Sequence, residues 1–130
     1  MIVVDASIVI DLLLDRGPLL RRIASLIAGE PLAAPHLLDA EVGHALRRSV
    51  LRGSLPAFLA LSALDDLARF RLTRHSHTRL LPRAFELRDN ATMYDALYLA
   101  LAETLSATLF TRDRALARVP GVAARVEVVG

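Results

Sequence analysis

Residues Ala96-Leu97-Tyr98-Leu99-Ala100-Leu101-Ala102 are apolar almost all round a helix. A helix without a polar face has to be covered on every side. This helix must therefore be buried, with Asp95 at the rim of the core. Two short apolar runs, Ile2-Val3-Val4 and Ala107-Thr108-Leu109-Phe110-Thr111, read as buried strands.

The rest of the chain alternates in the same way. Strand 2–5 leads into a helix over 8–14 with Ser7 as its N-cap. Gly17-Pro18 turns the chain into a helix over 18–28 that ends at Gly29. A short strand over 32–34 precedes Pro35. The apolar spacing of Leu38, Val42, Ala45, Leu46 and Val50 predicts a helix over 37–52, stopped by Gly53. Ser54 caps a helix over 55–69, with Pro56 in its first turn. A strand over 70–73, a helix over 79–88 and a helix over 93–105 capped by Thr92 follow. Strand 107–111, a short helix over 114–118, the turn Pro120-Gly121 and strand 125–129 complete the pattern. Strands separated by helices imply a parallel sheet covered on both faces, which is the α/β class. No linker, repeat or low-complexity stretch divides residues 1–130, and a single domain is expected.

Composition excludes several function classes. All sixteen basic residues are arginine. Without lysine there is no Walker phosphate loop and no Schiff base. Without cysteine there is neither a disulfide framework nor a thiolate metal site, which fits a reducing cytoplasm. Asp5 and Asp11 interrupt the first apolar stretch, so no secretory leader is expected. The apolar segment Ala96 to Phe110 contains Glu103 and falls short of the roughly 20 residues of a membrane span. The arginines cluster as Arg47, Arg48 and Arg52, and again between Arg69 and Arg88. Such clusters suit a polyanion, and Arg47, Arg48 and Arg52 are the candidate RNA contacts. A solvated helix face, or a surface meeting an acidic protein, explains them equally well.

Four acids stand at the ends of these elements: Asp5, Glu41, Asp95 and Asp113. Asp5 closes the first strand and Asp113 follows the fourth. Glu41 and Asp95 lie in the first turns of two helices. If the two strands are parallel neighbours, their carboxyl ends share an edge where open α/β sheets bind ligands. Carboxylates about 5 Å apart repel by roughly 3 kcal/mol per pair at an effective dielectric near 20. An oxygen-seeking divalent cation, Mg²⁺ or Mn²⁺, would hold four of them together. Taken singly each acid also has a plain structural use, as a helix cap or a charge favoured by the helix dipole. Ser7 could support a metal-bound water or simply cap its helix. Asp39, on another side of the helix from Glu41, reads as an N-terminal cap or a surface charge. Asp65 and Asp66 read as a solvated face, and Asp11, Asp15, Glu30, Asp89, Glu103 and Glu127 lack a matching partner. His75 and His77 fall in a polar loop. His44 lies three residues after Glu41, but a single Glu-x-x-His is too little for a di-iron bundle.

These segments resemble the PIN-domain nucleases, and within them the VapC-like toxins of toxin–antitoxin pairs. The resemblance is carried by Ile2-Val3-Val4-Asp5-Ala6-Ser7 and Leu38-Asp39-Ala40-Glu41-Val42. It continues through Met93-Tyr94-Asp95-Ala96-Leu97-Tyr98-Leu99-Ala100-Leu101-Ala102 and Leu109-Phe110-Thr111-Arg112-Asp113. It implies a three-layer α/β/α sandwich around a parallel sheet. It implies a Mg²⁺- or Mn²⁺-dependent endoribonuclease in which Asp5, Glu41, Asp95 and Asp113 hold the metal, supported by the hydroxyls of Ser7 and Thr111. Hydrolysis by a metal-activated water follows from that. A cognate antitoxin, an RNA substrate and a homodimer are the implied partners, in the cytoplasm. Phe58, Leu59, Leu61 and Leu64 on one helix leave room for such interfaces, although core packing would also use them. His44 departs from the asparagine that many relatives carry. The competing reading is a PIN fold that binds RNA or protein and cleaves little. A phosphatase of the haloacid-dehalogenase type is disfavoured, because Asp5-Ala6-Ser7 lacks its Asp-x-Asp.

Overall fold

The computed structural model describes residues 1–130 and contains one sheet of five strands. These are β1 (Ile2–Val4), β2 (Leu32–Pro35), β3 (Thr73–His75), β4 (Thr108–Thr111) and β5 (Val126–Val128). Six helices accompany them: α1 (Ala6–Leu13), α2 (Leu20–Ile27), α3 (Leu37–Leu51), α4 (Ala57–Arg69), α5 (Leu81–Glu86) and α6 (Met93–Thr104). A single 3-10 turn spans Leu116–Arg118. No helix is long and apolar enough to cross a membrane.

The strands lie in the order β3-β2-β1-β4-β5, and every neighbouring pair is parallel. Parallel connections are right-handed, so the direction in which the chain moves fixes the face each helix covers. From β1 to β2 to β3 the chain steps one way, which puts α1 to α4 on one face. From β3 to β4 it returns the other way, which puts α5 and α6 on the opposite face. The result is the expected three-layer α/β/α arrangement. Ala96 to Ala102 of α6 are all buried, as a helix without a polar face requires.

The reversal of direction falls between β1 and β4. These central strands pair with Ile2 opposite Thr108, Val3 opposite Leu109 and Val4 opposite Phe110. Asp5, just after β1, and Thr111 at the end of β4 with Arg112 and Asp113 behind it therefore stand side by side at the carboxyl edge. A topological switch point of this kind leaves a crevice between diverging connections.

Three local expectations are corrected. β3 forms at 73–75 instead of 70–73. Phe70 ends α4 with its N–H bonded to the Leu67 carbonyl, and pairing begins only where Thr73 meets Ala33. As an edge strand, β3 is specified by its pairing rather than by hydrophobicity. Ser54 does not cap α4; its hydroxyl bonds the Ser49 carbonyl, and the backbone turns into the helix at Pro56. Nor does Ser7 cap α1. Asp5 occupies the N-cap position and accepts the Ile8 N–H at 3.2 Å.

Candidate active site

The carboxyl edge between β1 and β4 is built from its backbone outwards. Asp5 caps α1 and is buried at 8% exposure, so both of its oxygens need donors. Oδ1 takes the Ser7 hydroxyl at 2.5 Å as well as the Ile8 N–H. Oδ2 takes the Thr111 hydroxyl, from the end of β4. Thr111 Oγ1 in turn accepts the Asp113 N–H at 2.9 Å, and Ser7 Oγ accepts the Arg112 N–H at 3.1 Å. Ser7 and Thr111 thus tie the loop after β4 to the start of α1. Asp113, beyond that loop, is exposed; it accepts the Ala115 N–H at 2.8 Å through Oδ1, so its capping use is realised.

The two remaining acids arrive from opposite layers. Glu41 stands one turn into α3, and Asp95 in the first turn of α6. Thr92 caps α6 by accepting the Asp95 N–H at 3.1 Å. The buried Tyr98, one turn beyond Asp95, donates its hydroxyl to Glu41 Oε1 at 2.6 Å. Tyr98 was legible in the sequence only as part of an apolar helix. A buried phenol needs a partner, and that requirement was the one signal pointing to its role.

Charge links Glu41 to Asp95 and Asp5, and Asp95 to Asp113, in addition to the effect of burial. Burial pushes the Asp5 carboxyl above its ordinary value, against the donors from Ser7, Thr111 and the Ile8 N–H. Glu41 is also raised, by burial first and then by the charges of Asp95 and Asp5, while Tyr98 lowers it. Asp95 is raised by burial and by the charge of Asp113. Tyr98 itself is held well above the ordinary phenol value by burial and by Glu41.

A divalent cation fits the chemistry of this donor set. The available atoms are all carboxylate or hydroxyl oxygens, the hard ligands that Mg²⁺ and Mn²⁺ prefer. Glu41 Oε2 and Asp113 Oδ2 carry no protein donor, and the mutual repulsion of the set would be offset by positive charge. The carboxylates are coupled without being closed on a point, because no three His, Asp or Glu side chains stand ready to hold a metal ion.

Other expected residues lie elsewhere. Arg47, Arg48 and Arg52 are exposed. At about 1.5 Å per residue they sit roughly 9 to 16 Å along the α3 axis from Glu41, so the structure does not bring them to the carboxylates. His44 is exposed one turn beyond Glu41. Asp39 proves to be neither a cap nor a free surface charge, since Arg74 grips it with two hydrogen bonds of 2.7 and 2.9 Å. His75 ends β3, and His77 Nε2 accepts the first N–H of α3, from Leu37, at 2.9 Å. Asp11 and Glu103, expected to lack partners, pair with Arg112 and Arg83.

The PIN domain family matches residues 2–122 of the chain. The chain is 44% identical over 128 residues to Ribonuclease VapC1 of Mycobacterium tuberculosis, an alignment covering 98% of this chain and 96% of that protein. It is 42% identical over 113 residues to Ribonuclease VapC9 of the same organism, covering 87% and 86%. Among solved structures it resembles VapBC2 from Rickettsia felis, bound there to a promoter DNA fragment. That likeness has a TM-score of 0.73 over the whole of both chains at 19% identity, and it speaks to the fold alone. The chain thus has sequence relatives along nearly its full length: it belongs to the PIN-domain family and, within it, to the VapC ribonucleases.

Proposed function

We propose that the chain is a metal-dependent endoribonuclease, the toxin of a toxin–antitoxin pair, acting on RNA in the cytoplasm. One observation carries the reading: Asp5, Glu41, Asp95 and Asp113 come from four separate segments to the sheet's switch point, where, beyond the effect of burial, the charges of Asp95 and Asp5 raise Glu41 and that of Asp113 raises Asp95. Capping alone gives four acids no reason to meet there. The names of the sequence relatives support the same chemistry.

Asp5, Glu41, Asp95 and Asp113 would hold the cation, Mg²⁺ or Mn²⁺. Such a cation supplies charge neutralisation at the phosphoryl oxygens and an acidified water for attack. The protein's own part is positioning. Ser7 and Thr111 fix both oxygens of Asp5. Tyr98 fixes one oxygen of Glu41 and leaves the other free. Burial of Asp5 keeps bulk water from weakening these interactions.

A protein partner is part of the proposal. Leu51, Phe58 and Leu61 are 69%, 71% and 65% exposed, and a groove of about 330 Å³ between α3 and α4 is lined by Leu46, Val50, Leu61 and Leu64. An apolar surface of this kind favours a covering chain, which we assign to an antitoxin, with a homodimer as the toxin's own state.

The test is cleavage of total cellular RNA by the purified chain with Mg²⁺, with Mn²⁺ and with EDTA, beside Asp95→Asn and Asp5→Ala. Discrete fragments that need both metal and acids are expected. Intact RNA under every metal would overturn the reading in favour of a PIN fold that binds without cutting.

A further inference from the structure

Asp11 is a buried charge that the proposed chemistry does not use. It is 7% exposed and sits in the second half of α1, where the helix dipole disfavours an acid. Its oxygen Oδ2 accepts from Arg112 Nη1 at 2.8 Å, across 101 residues of sequence. Around it the chain turns sharply, with Asp15 and Gly17 at φ of 49° and 103°. A side chain at Gly17 would touch the Asp11 carboxylate at 3.6 Å.

Arg112 lies between Thr111 and Asp113, the two residues that bring β4 into the carboxylate cluster. Its N–H is already bonded to Ser7. Its side chain is 40% exposed, and no other protein acceptor takes its remaining guanidinium protons. A guanidinium carries five N–H donors in a rigid fork. Four carboxylates repel an approaching polyanion, so a cation fixed at their rim has a use that a free surface arginine lacks. Asp11 lies six residues after Asp5, about 9 Å further along α1, and draws the guanidinium away from the cluster centre.

We propose that Arg112, held in place by Asp11, is a binding residue for an RNA phosphate flanking the one that is cut. Asp11 is the positioning residue and Arg112 the contact. The inference rests on the nuclease reading for its substrate, yet it can be tested without cleavage.

A labelled single-stranded RNA of mixed sequence is titrated in EDTA over a series of salt concentrations, with wild type, Arg112→Gln, Arg112→Lys, Asp11→Asn and the exposed control Arg21→Gln. Arg112→Gln should weaken binding about tenfold, as for a lost charged hydrogen bond, and lower the slope of log affinity against log salt by about 0.7. Asp11→Asn should weaken binding while keeping the slope, because the charge remains and only its placement is lost. Arg112→Lys should keep the slope and lose affinity, which serves even if Asp11→Asn does not fold. Binding by Arg112→Gln equal to that of Arg21→Gln would overturn the inference, as would wild type that binds no RNA. Wild type that binds RNA in this way but cuts none with metal would sink the nuclease reading and leave the phosphate contact standing.

Discussion

Tyr98 donates its hydroxyl to Glu41 at 2.6 Å and so joins α6, on one face of the sheet, to α3, on the other. Both groups feel the charge of Asp5, buried at the carboxyl edge. The bond fixes one oxygen of Glu41 while the hydroxyl adds no charge of its own.

Tyr98→Phe keeps the buried ring and removes the donor. It should cost about 1 kcal/mol of stability and lower kcat about tenfold, with KM little changed, since Glu41 keeps its charge but loses its orientation. Steady-state cleavage and a thermal melt read the two effects separately. Equal kcat values would show that Glu41 needs no orienting partner.

Asp95→Asn should raise the melting temperature in EDTA, because it relieves the repulsion that Asp113 and Glu41 exert. For a chain of this size each 1 kcal/mol corresponds to about 4 °C. Adding Mg²⁺ should raise the melting temperature of wild type, by ligand linkage, and do so much less for the variant. A variant that melts lower in EDTA and responds fully to Mg²⁺ would remove Asp95 from the set.

The same carboxyls set a pH dependence. Asp5, Glu41 and Asp95 hold protons more tightly in the folded chain than in the unfolded one. Their contribution to stability is therefore complete at pH below the ordinary carboxylate range and is lost as pH rises through their elevated values. Glu103, lowered by Arg83, works in the opposite sense and loses its contribution as pH falls below the ordinary range. Denaturant melts in EDTA at about pH 5 and pH 7.5 should show Asp95→Asn gaining on wild type as pH rises. A constant difference between the two would contradict a proton affinity of Asp95 raised by burial and by Asp113.

Arg83 bonds Glu103 at 2.8 and 2.9 Å, Glu86 at 2.9 Å and the Gly121 carbonyl at 2.7 Å. Glu103 lies eight residues beyond Asp95, about 12 Å along α6. Arg83→Ala should therefore cost about 1–2 kcal/mol of stability, because it strips a partly buried carboxylate of its partner, while leaving cleavage of RNA near the wild-type rate. A loss of activity in a variant still folded at the assay temperature would place this corner in communication with the carboxylates.

The fold was legible where burial decides it. Ile2 to Val4, Thr108 to Thr111 and the all-apolar α6 could be read from their hydrophobicity alone, and each is part of the buried core. What stayed hidden was set by partners distant in sequence. Asp5 rather than Ser7 caps α1, because a buried aspartate at the end of β1 needs the Ile8 N–H for its own satisfaction. β3 is polar and is specified by pairing with β2 and by the grip of Arg74 on Asp39. The pairs Asp11–Arg112 and Glu103–Arg83 join segments that no spacing rule relates, and the bond from Tyr98 to Glu41 spans 57 residues.

The hydrogen bond from Thr111 to Asp5 closes a separation of 106 residues. During synthesis the amino-terminal half of this chain leaves the ribosome with Asp5 and Glu41 but without Asp95, Thr111 or Asp113. The nascent polypeptide therefore cannot assemble its carboxylate cluster beside the very RNA machine that makes it. Only once β4 has emerged and inserted beside β1 can Thr111 and Asp113 join Asp5 at one sheet edge.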